Sequence, residues 1–167
     1  NPGVLYDDEN NFSKLKKGKT LYKYSVNTGK NPAIAVADDM RKLNPGIYCI
    51  QLEANDKYGN SLSEVSYFTV YAPDNKKMPI TTPDRFFAET SYVYPGETAV
   101  FYAGTSFTDV WMLYEVEHKG AIVSKQWVKL DNELRKFEIP VTEEHRGNFS
   151  VHLMFVKNGR FYTSSMV

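Results

Sequence analysis

Two stretches of this chain share one pattern: Gly46-Ile47-Tyr48-Cys49-Ile50-Gln51-Leu52-Glu53-Ala54 and Gly147-Asn148-Phe149-Ser150-Val151-His152-Leu153-Met154-Phe155. They align without a gap at an offset of 101 residues, Gly46 against Gly147. After each glycine an aromatic residue stands at the second position, a β-branched residue at the fourth and leucine at the sixth. Alternation with period two sends those side chains to one face of a strand packed on one side. A polar, glycine-containing turn follows each copy, and then an aromatic strand: Tyr67-Phe68-Thr69 after the first, Phe161-Tyr162-Thr163 after the second. Two copies of one terminal hairpin predict two tandem β-sandwich domains, 1–76 and 77–167. The polar, two-proline segment Ala72-Pro73-Asp74-Asn75-Lys76-Lys77-Met78-Pro79 is the expected linker. One larger sandwich with two similar hairpins is the alternative.

The rest of the chain agrees with an all-β fold. Twelve Tyr, ten Phe and two Trp suit pleated, half-buried surfaces. Further strands are expected over 20–26, 33–36, 64–71, 98–103, 110–118, 122–129, 136–141 and 161–166. Turn signals such as Asn44-Pro45-Gly46, Tyr94-Pro95-Gly96, Lys119-Gly120 and Asn158-Gly159 separate them. Only 37–43 has helical character, and Pro45-Gly46 ends it early. In the second unit Gly96, in a Pro-Gly-Glu-Thr opening, lies 51 residues before Gly147. The same distance back from Gly46 falls before Asn1, so the first unit is expected to lack its opening strands. A compact first unit, with Gly18-Lys19-Thr20 matching Gly96-Glu97-Thr98, is the other possibility.

Charge and cysteine content remove several function classes. Lys+Arg and Asp+Glu balance at 20 each, so the basic footprint of a sequence-independent nucleic-acid binder is missing. No apolar run approaches the roughly 20 residues of a membrane-spanning helix. A lone cysteine, Cys49, forbids an internal disulfide and every multi-cysteine metal motif.

No catalytic constellation emerges. Gly18-Lys19-Thr20 echoes the end of a phosphate loop, but Ser13 stands where the motif needs its first glycine. Asp7-Asp8-Glu9-Asn10-Asn11 lacks the glycine and closing glutamate of a calcium loop and reads as a solvated surface. His118, His145 and His152 have no metal-ligand spacing, and His152 falls on the outward face of its strand. Adjacent Glu143 and Glu144 do not converge on one substrate as a general acid and base would. Cys49 matches Ser150 in the repeat and reads as a structural thiol. Asn11-Phe12-Ser13 and Asn148-Phe149-Ser150 fit the glycosylation acceptor pattern, which is short enough to arise by chance. No metal, cofactor or thioester is expected.

What remains is surface. Val110-Trp111-Met112-Leu113-Tyr114, Val100-Phe101-Tyr102 and Phe161-Tyr162 are apolar on both faces of their strands. Either a neighbouring domain covers the second face or an aromatic cross-strand ladder lies open on it.

Tyr92-Val93-Tyr94-Pro95-Gly96-Glu97-Thr98-Ala99-Val100-Phe101 resembles the opening of a macroglobulin domain, the fibronectin-type-III-like module of alpha-2-macroglobulins. So does Leu43-Asn44-Pro45-Gly46-Ile47-Tyr48 with Asp56-Lys57-Tyr58-Gly59-Asn60 and Tyr67-Phe68-Thr69-Val70-Tyr71. Gly104-Thr105-Ser106 before Val110-Trp111-Met112-Leu113-Tyr114-Glu115 is similar to the large bacterial alpha-2-macroglobulin-like proteins of the Bacteroides group. Ile139-Pro140-Val141, Arg146-Gly147-Asn148-Phe149-Ser150-Val151-His152 and Val156-Lys157-Asn158-Gly159-Arg160-Phe161-Tyr162 extend that resemblance over most of 40–166.

The resemblance implies a protease trap of the periplasm or cell envelope. In such proteins, cleavage of a bait segment triggers entanglement of the protease, sometimes with a Cys–Gln thioester. Neither a Gly-Cys-Gly-Glu-Gln sequence nor a bait-like stretch is present here. These two domains would therefore be non-catalytic scaffold, their partners the neighbouring domains of the parent chain and, through it, proteases. The rival expectation is an adhesion or carbohydrate-binding module, with Tyr92, Tyr94 and Trp127 as the stacking candidates.

Overall fold

A computed structural model describes residues 3–6, 12–27, 29–30, 35–71 and 77–167. Antiparallel strands make up most of the structure, with almost no helix, and the chain divides into two compact units, Asn1–Ala72 and Pro73–Val167. The fold is all-β. Residues 7–11, 33–34 and 72–76 lie outside the described residues, and with them the acidic run, the Asn11 acceptor pattern, part of the 33–36 strand and most of the expected linker.

Among the described residues the first unit holds one three-stranded sheet. Strands β1 (Gly3–Tyr6), β2 (Gly46–Asn55) and β3 (Ser61–Tyr71) lie in the order β1-β3-β2. The β2–β3 hairpin is in register from Gly46↔Val70 to Asn55↔Ser61, while β1 pairs only with the end of β3, from Phe68 to Tyr71. Burial follows that difference. Phe68, Thr69, Val70 and Tyr71 are buried, and Tyr48 stacks on Phe68 at 5.7 Å, whereas Leu52, Tyr58 and Leu62 toward the tip are exposed. At the tip Asp56 Oδ1 accepts from the backbone N–H of Tyr58 and of Asn60, both at 2.8 Å. That closed Asx turn is the role short acidic side chains play in tight loops.

The helical segment is shorter than expected. Helix α1 spans Ala37–Met40, and a turn follows it. The strand expected at 20–26 does not form: these residues lie outside any strand, with Leu21, Tyr22, Tyr24 and Val26 exposed. Alternation alone makes no strand, because the backbone groups of an extended segment need a paired edge.

The second unit has two sheets. One contains β6 (Val110–His118), β7 (Ala121–Leu130), β9 (Phe149–Lys157) and β10 (Arg160–Met166) in the order β10-β9-β6-β7. The other contains β4 (Arg85–Ala88), β5 (Thr98–Thr105) and β8 (Glu133–Pro140) in the order β4-β5-β8. Their facing side chains meet in one hydrophobic cluster: Phe101 and Ala103 from β5, Ile139 from β8, and Val110, Met112, Tyr114, Val116, Val151, Leu153 and Phe155 from the larger sheet. Phe101 stacks on Phe137 at 5.2 Å and on Tyr114 at 5.8 Å. Burial pushes the Tyr114 hydroxyl up to about 12, because the phenolate form would have to leave water.

Strand β4 escaped sequence reading because its four residues carry aromatics on both faces. Phe86 packs against the core cluster, edge-on to Phe101 at 5.5 Å, and Phe87 stacks on Tyr102 at 5.1 Å. Gly104, in β5, sits where the β8 backbone comes close. A Cβ there would stand 2.6 Å from the Glu133 carbonyl oxygen and 2.9 Å from Leu134 Cα. Only glycine fits such a spacing without moving β8.

Candidate functional site

Strand alternation in the second unit sends half the side chains of the β10-β9-β6-β7 sheet away from the core. The register puts them in rows. Thr163, Met154, Leu113 and Trp127 form one row across all four strands. Ser165, His152, Glu115 and Lys125 form the next. Beyond the first row, Phe161 opposes Val156 and Trp111 opposes Lys129.

The two ends of this face differ in chemistry. At the polar end Lys125 pairs with Glu115 at 3.0 Å. His152 Nε2–H donates to Glu117 Oε2 at 3.0 Å, which leaves Nδ1 to accept from the Ser165 hydroxyl at 2.9 Å in the neutral ring. His152 is thus an outward sheet residue, held by hydrogen bonds on both nitrogens.

The other end is apolar. Trp111, Trp127, Val156 and Phe161 are 56%, 61%, 64% and 64% exposed, whereas Leu113 between them is buried. With Met154 they line an open concavity of about 500 Å³. Its rim is polar: Asp109, Lys157 and Asn158 line the edge. Lys129 Nζ lies 2.8 Å from Asp109 Oδ1 and 5.9 Å from the centre of the Trp111 ring. Lys157 Nζ donates to the Asp109 carbonyl oxygen at 3.1 Å. The Lys129 ammonium holds the Asp109 carboxyl below its ordinary range, so the rim carries a charged acceptor at neutral pH.

A bend between β5 and β6 and a hairpin turn between β9 and β10 position this rim. Asp109 enters β6 with φ at 50°, and Asn158-Gly159 closes the β9–β10 hairpin with φ at 51° and 71°. Positive φ at both central residues is the hairpin geometry that Asn-Gly favours.

The residues singled out from sequence fall in different places. Trp127 lies in this groove. Tyr92 and Tyr94 are exposed and pack edge-on at 5.9 Å, but they belong to the β4–β5 connection, and nothing joins them to Trp127. Trp111, Val156 and Phe161 were not named as site residues. Their signal was the doubly apolar runs 110–114 and 161–162, which did not say which runs would share a face. Cys49 is exposed on β2 opposite Tyr67.

His118 and His145 come within 5.8 Å of each other, ring to ring, although sequence spacing gave no hint of it. The His145 Nδ1 accepts the Thr142 backbone N–H at 3.1 Å, capping the short turn Glu143–His145, and His118 Nδ1–H donates to the Asn148 carbonyl at 3.1 Å. Glu143 pairs with Arg146 beside it. Among the described residues no group of three or more His, Cys, Asp or Glu is placed to hold a metal ion. No helix among them is long and apolar enough to cross a membrane.

Comparison of the chain with protein-family models, curated proteins and solved structures finds no match.

Proposed function

We propose that this chain supplies two non-catalytic scaffold domains of the fibronectin-III-like class, the second built as a two-sheet sandwich, from an alpha-2-macroglobulin-like protease trap of the bacterial periplasm or cell envelope. The order and spacing of the macroglobulin-like motifs over 40–166 support the family. Supporting the scaffold role are two units of antiparallel sheet, the second built as two sheets around one core.

The observation that carries the reading is the open half of the β2–β3 hairpin. Leu52 and Leu62 are 55% and 69% exposed, and Tyr58 at the tip is 78% exposed. In the second unit the matching hairpin, β9–β10, has Val151, Leu153 and Phe155 buried against the opposite sheet. A hairpin of this pattern is completed by a β-layer on its apolar face, and in a multidomain trap the neighbouring domain of the parent chain supplies it.

The test uses the full-length protein that carries these domains. It is mixed with unrelated proteases, and residual activity is compared on a small peptide and a large protein substrate. Steric trapping predicts that small-substrate activity survives while large-substrate activity is lost. Equal activity on both substrates overturns the inhibitor reading. Leu52→Asp with Leu62→Asp is then expected to weaken trapping and increase proteolytic nicking. Unchanged trapping in that variant removes the covering role from this hairpin.

A further inference from the structure

We propose that the Trp111–Trp127–Phe161 groove on the outer face of the β10-β9-β6-β7 sheet is a saccharide-binding site. The inference does not rest on the scaffold reading, since a domain can serve as wall and still bind a glycan on a free face.

Its first support is shape and composition. A concavity of about 500 Å³ falls within the size of ordinary ligand sites, which are mostly apolar with a few placed polar groups. Trp111, Trp127 and Phe161 contribute three aromatic side chains, each more than half exposed, on one side of one sheet. Broad π-faces suit the C–H face of a pyranose ring, an apolar surface with weakly positive hydrogens.

The second support is the rim. Asp109, paired with Lys129, supplies a carboxylate acceptor, Lys157 an ammonium donor, and Asn158 an amide oxygen acceptor and NH2 donors. A pyranose carries hydroxyls around its edge that donate and accept, so they can replace the water on these groups while the ring covers the aromatics. A purely apolar surface laid over the same groove would strip water from the Asp109–Lys129 pair without replacing its hydrogen bonds, which costs binding energy. Nucleic acid is disfavoured as well, because Asp109 already neutralises Lys129 and the chain has no net charge.

Geometry adds preorganisation. Asp109, in the bend before β6, and Asn158, in the β9–β10 turn, have left-handed φ, and Leu113 beneath the aromatics is buried, so the platform rests on packed sheet.

The chain contains only two tryptophans, Trp111 and Trp127, and both line the groove. Intrinsic fluorescence therefore reports the site directly. The full chain is titrated with short linear oligosaccharides of glucose, xylose, mannose, galactose and N-acetylglucosamine, followed by tryptophan emission and by calorimetry. Saturable binding to at least one member with a shift in emission is expected. Trp127→Ala and Trp111→Ala should each weaken it about tenfold, the scale of one lost aromatic contact. Trp127→Tyr should retain most of it, and Tyr92→Ala with Tyr94→Ala should leave it unchanged. Circular dichroism confirms that each variant is folded. Absence of saturable binding across the panel overturns the proposal, and so does binding that survives both tryptophan variants. It is equally overturned if lipid vesicles, or a second copy of the chain on concentration, shift the emission while no sugar does.

Discussion

Leu52 and Leu153 occupy the same place in two copies of one hairpin, yet the first is 55% exposed and the second 5%. Their neighbours repeat the contrast: Val151 and Phe155 are buried in a shared core, while their counterparts Ile50 and Ala54 are half-buried and exposed. Local pattern is nearly identical in the two hairpins, and so is antiparallel pairing. What differs is the surroundings. β9 has β6 on its other side and a three-stranded sheet across the core, whereas among the described residues β2 is the outer strand of a single sheet. A hydrophobic face becomes stabilising only when something removes it from water.

Four measurements can break or sharpen this contrast. The largest effect is expected from Leu153→Ala, a core truncation that should cost about 2–5 kcal/mol in urea denaturation. Leu52→Ala should fall within about 0.5 kcal/mol, as surface changes do. Equal costs for the two would end the comparison.

Gly104→Ala comes next. With backbone atoms of Glu133 and Leu134 within 3 Å of the new Cβ, β5 and β8 must separate, and a loss of about 1–3 kcal/mol is expected. Amide exchange should quicken in the second unit and stay constant in the β2–β3 hairpin. Uniform loss of protection in both units would show that they do not behave independently.

The difference that Tyr114→Phe makes to the alkaline limb of stability tests the core of the second unit. The Tyr114 hydroxyl titrates near 12 in the folded chain and near its ordinary 10 when unfolded. A raised folded value means that the stabilisation is complete below pH 10 and is lost as pH climbs from 10 through 12. Tyr114→Phe should flatten that part of the profile, by an amount on the order of 1–3 kcal/mol. An unchanged profile would show that this phenol is not sequestered from water.

The smallest effect belongs to the tip of the first hairpin. The Asn60 side chain and backbone N–H hold the Asp56 carboxyl below its ordinary value. A lowered folded value means that its support is present above the unfolded value of 3.8 and is lost as pH falls through the lower folded one. Protection of the Tyr58 and Asn60 amides, relative to their intrinsic exchange rates, should therefore fall only as Asp56 protonates in acid, and Asp56→Ala should lower it wherever the carboxylate is otherwise ionised. The Asn158-Gly159 turn lacks this carboxylate and should show no such acid step.

How much of this was legible in the chain depended on the length of each element. Long alternating runs such as 110–118 and 147–155 became β6 and β9 with nearly the expected bounds. Four-residue β1 and β4 were missed, being too short to show a period, and 20–26 showed a period but found no edge to pair with. The groove was half visible. Trp127 was named, but Trp111, Val156 and Phe161 lie 16, 29 and 34 residues away from it in the chain. Only the pairings of β6 with β7 and β9, and of β9 with β10, bring them to one face.

Residue order thus determined the all-β class, the strand alternation and the repeated hairpin, because each depends on side chains within a few positions of one another. Tertiary structure decided which of two like faces is buried and which aromatics share a surface. Those properties belong to strand pairing and sheet packing, where residues far apart in the chain become neighbours and water is either excluded or left in place.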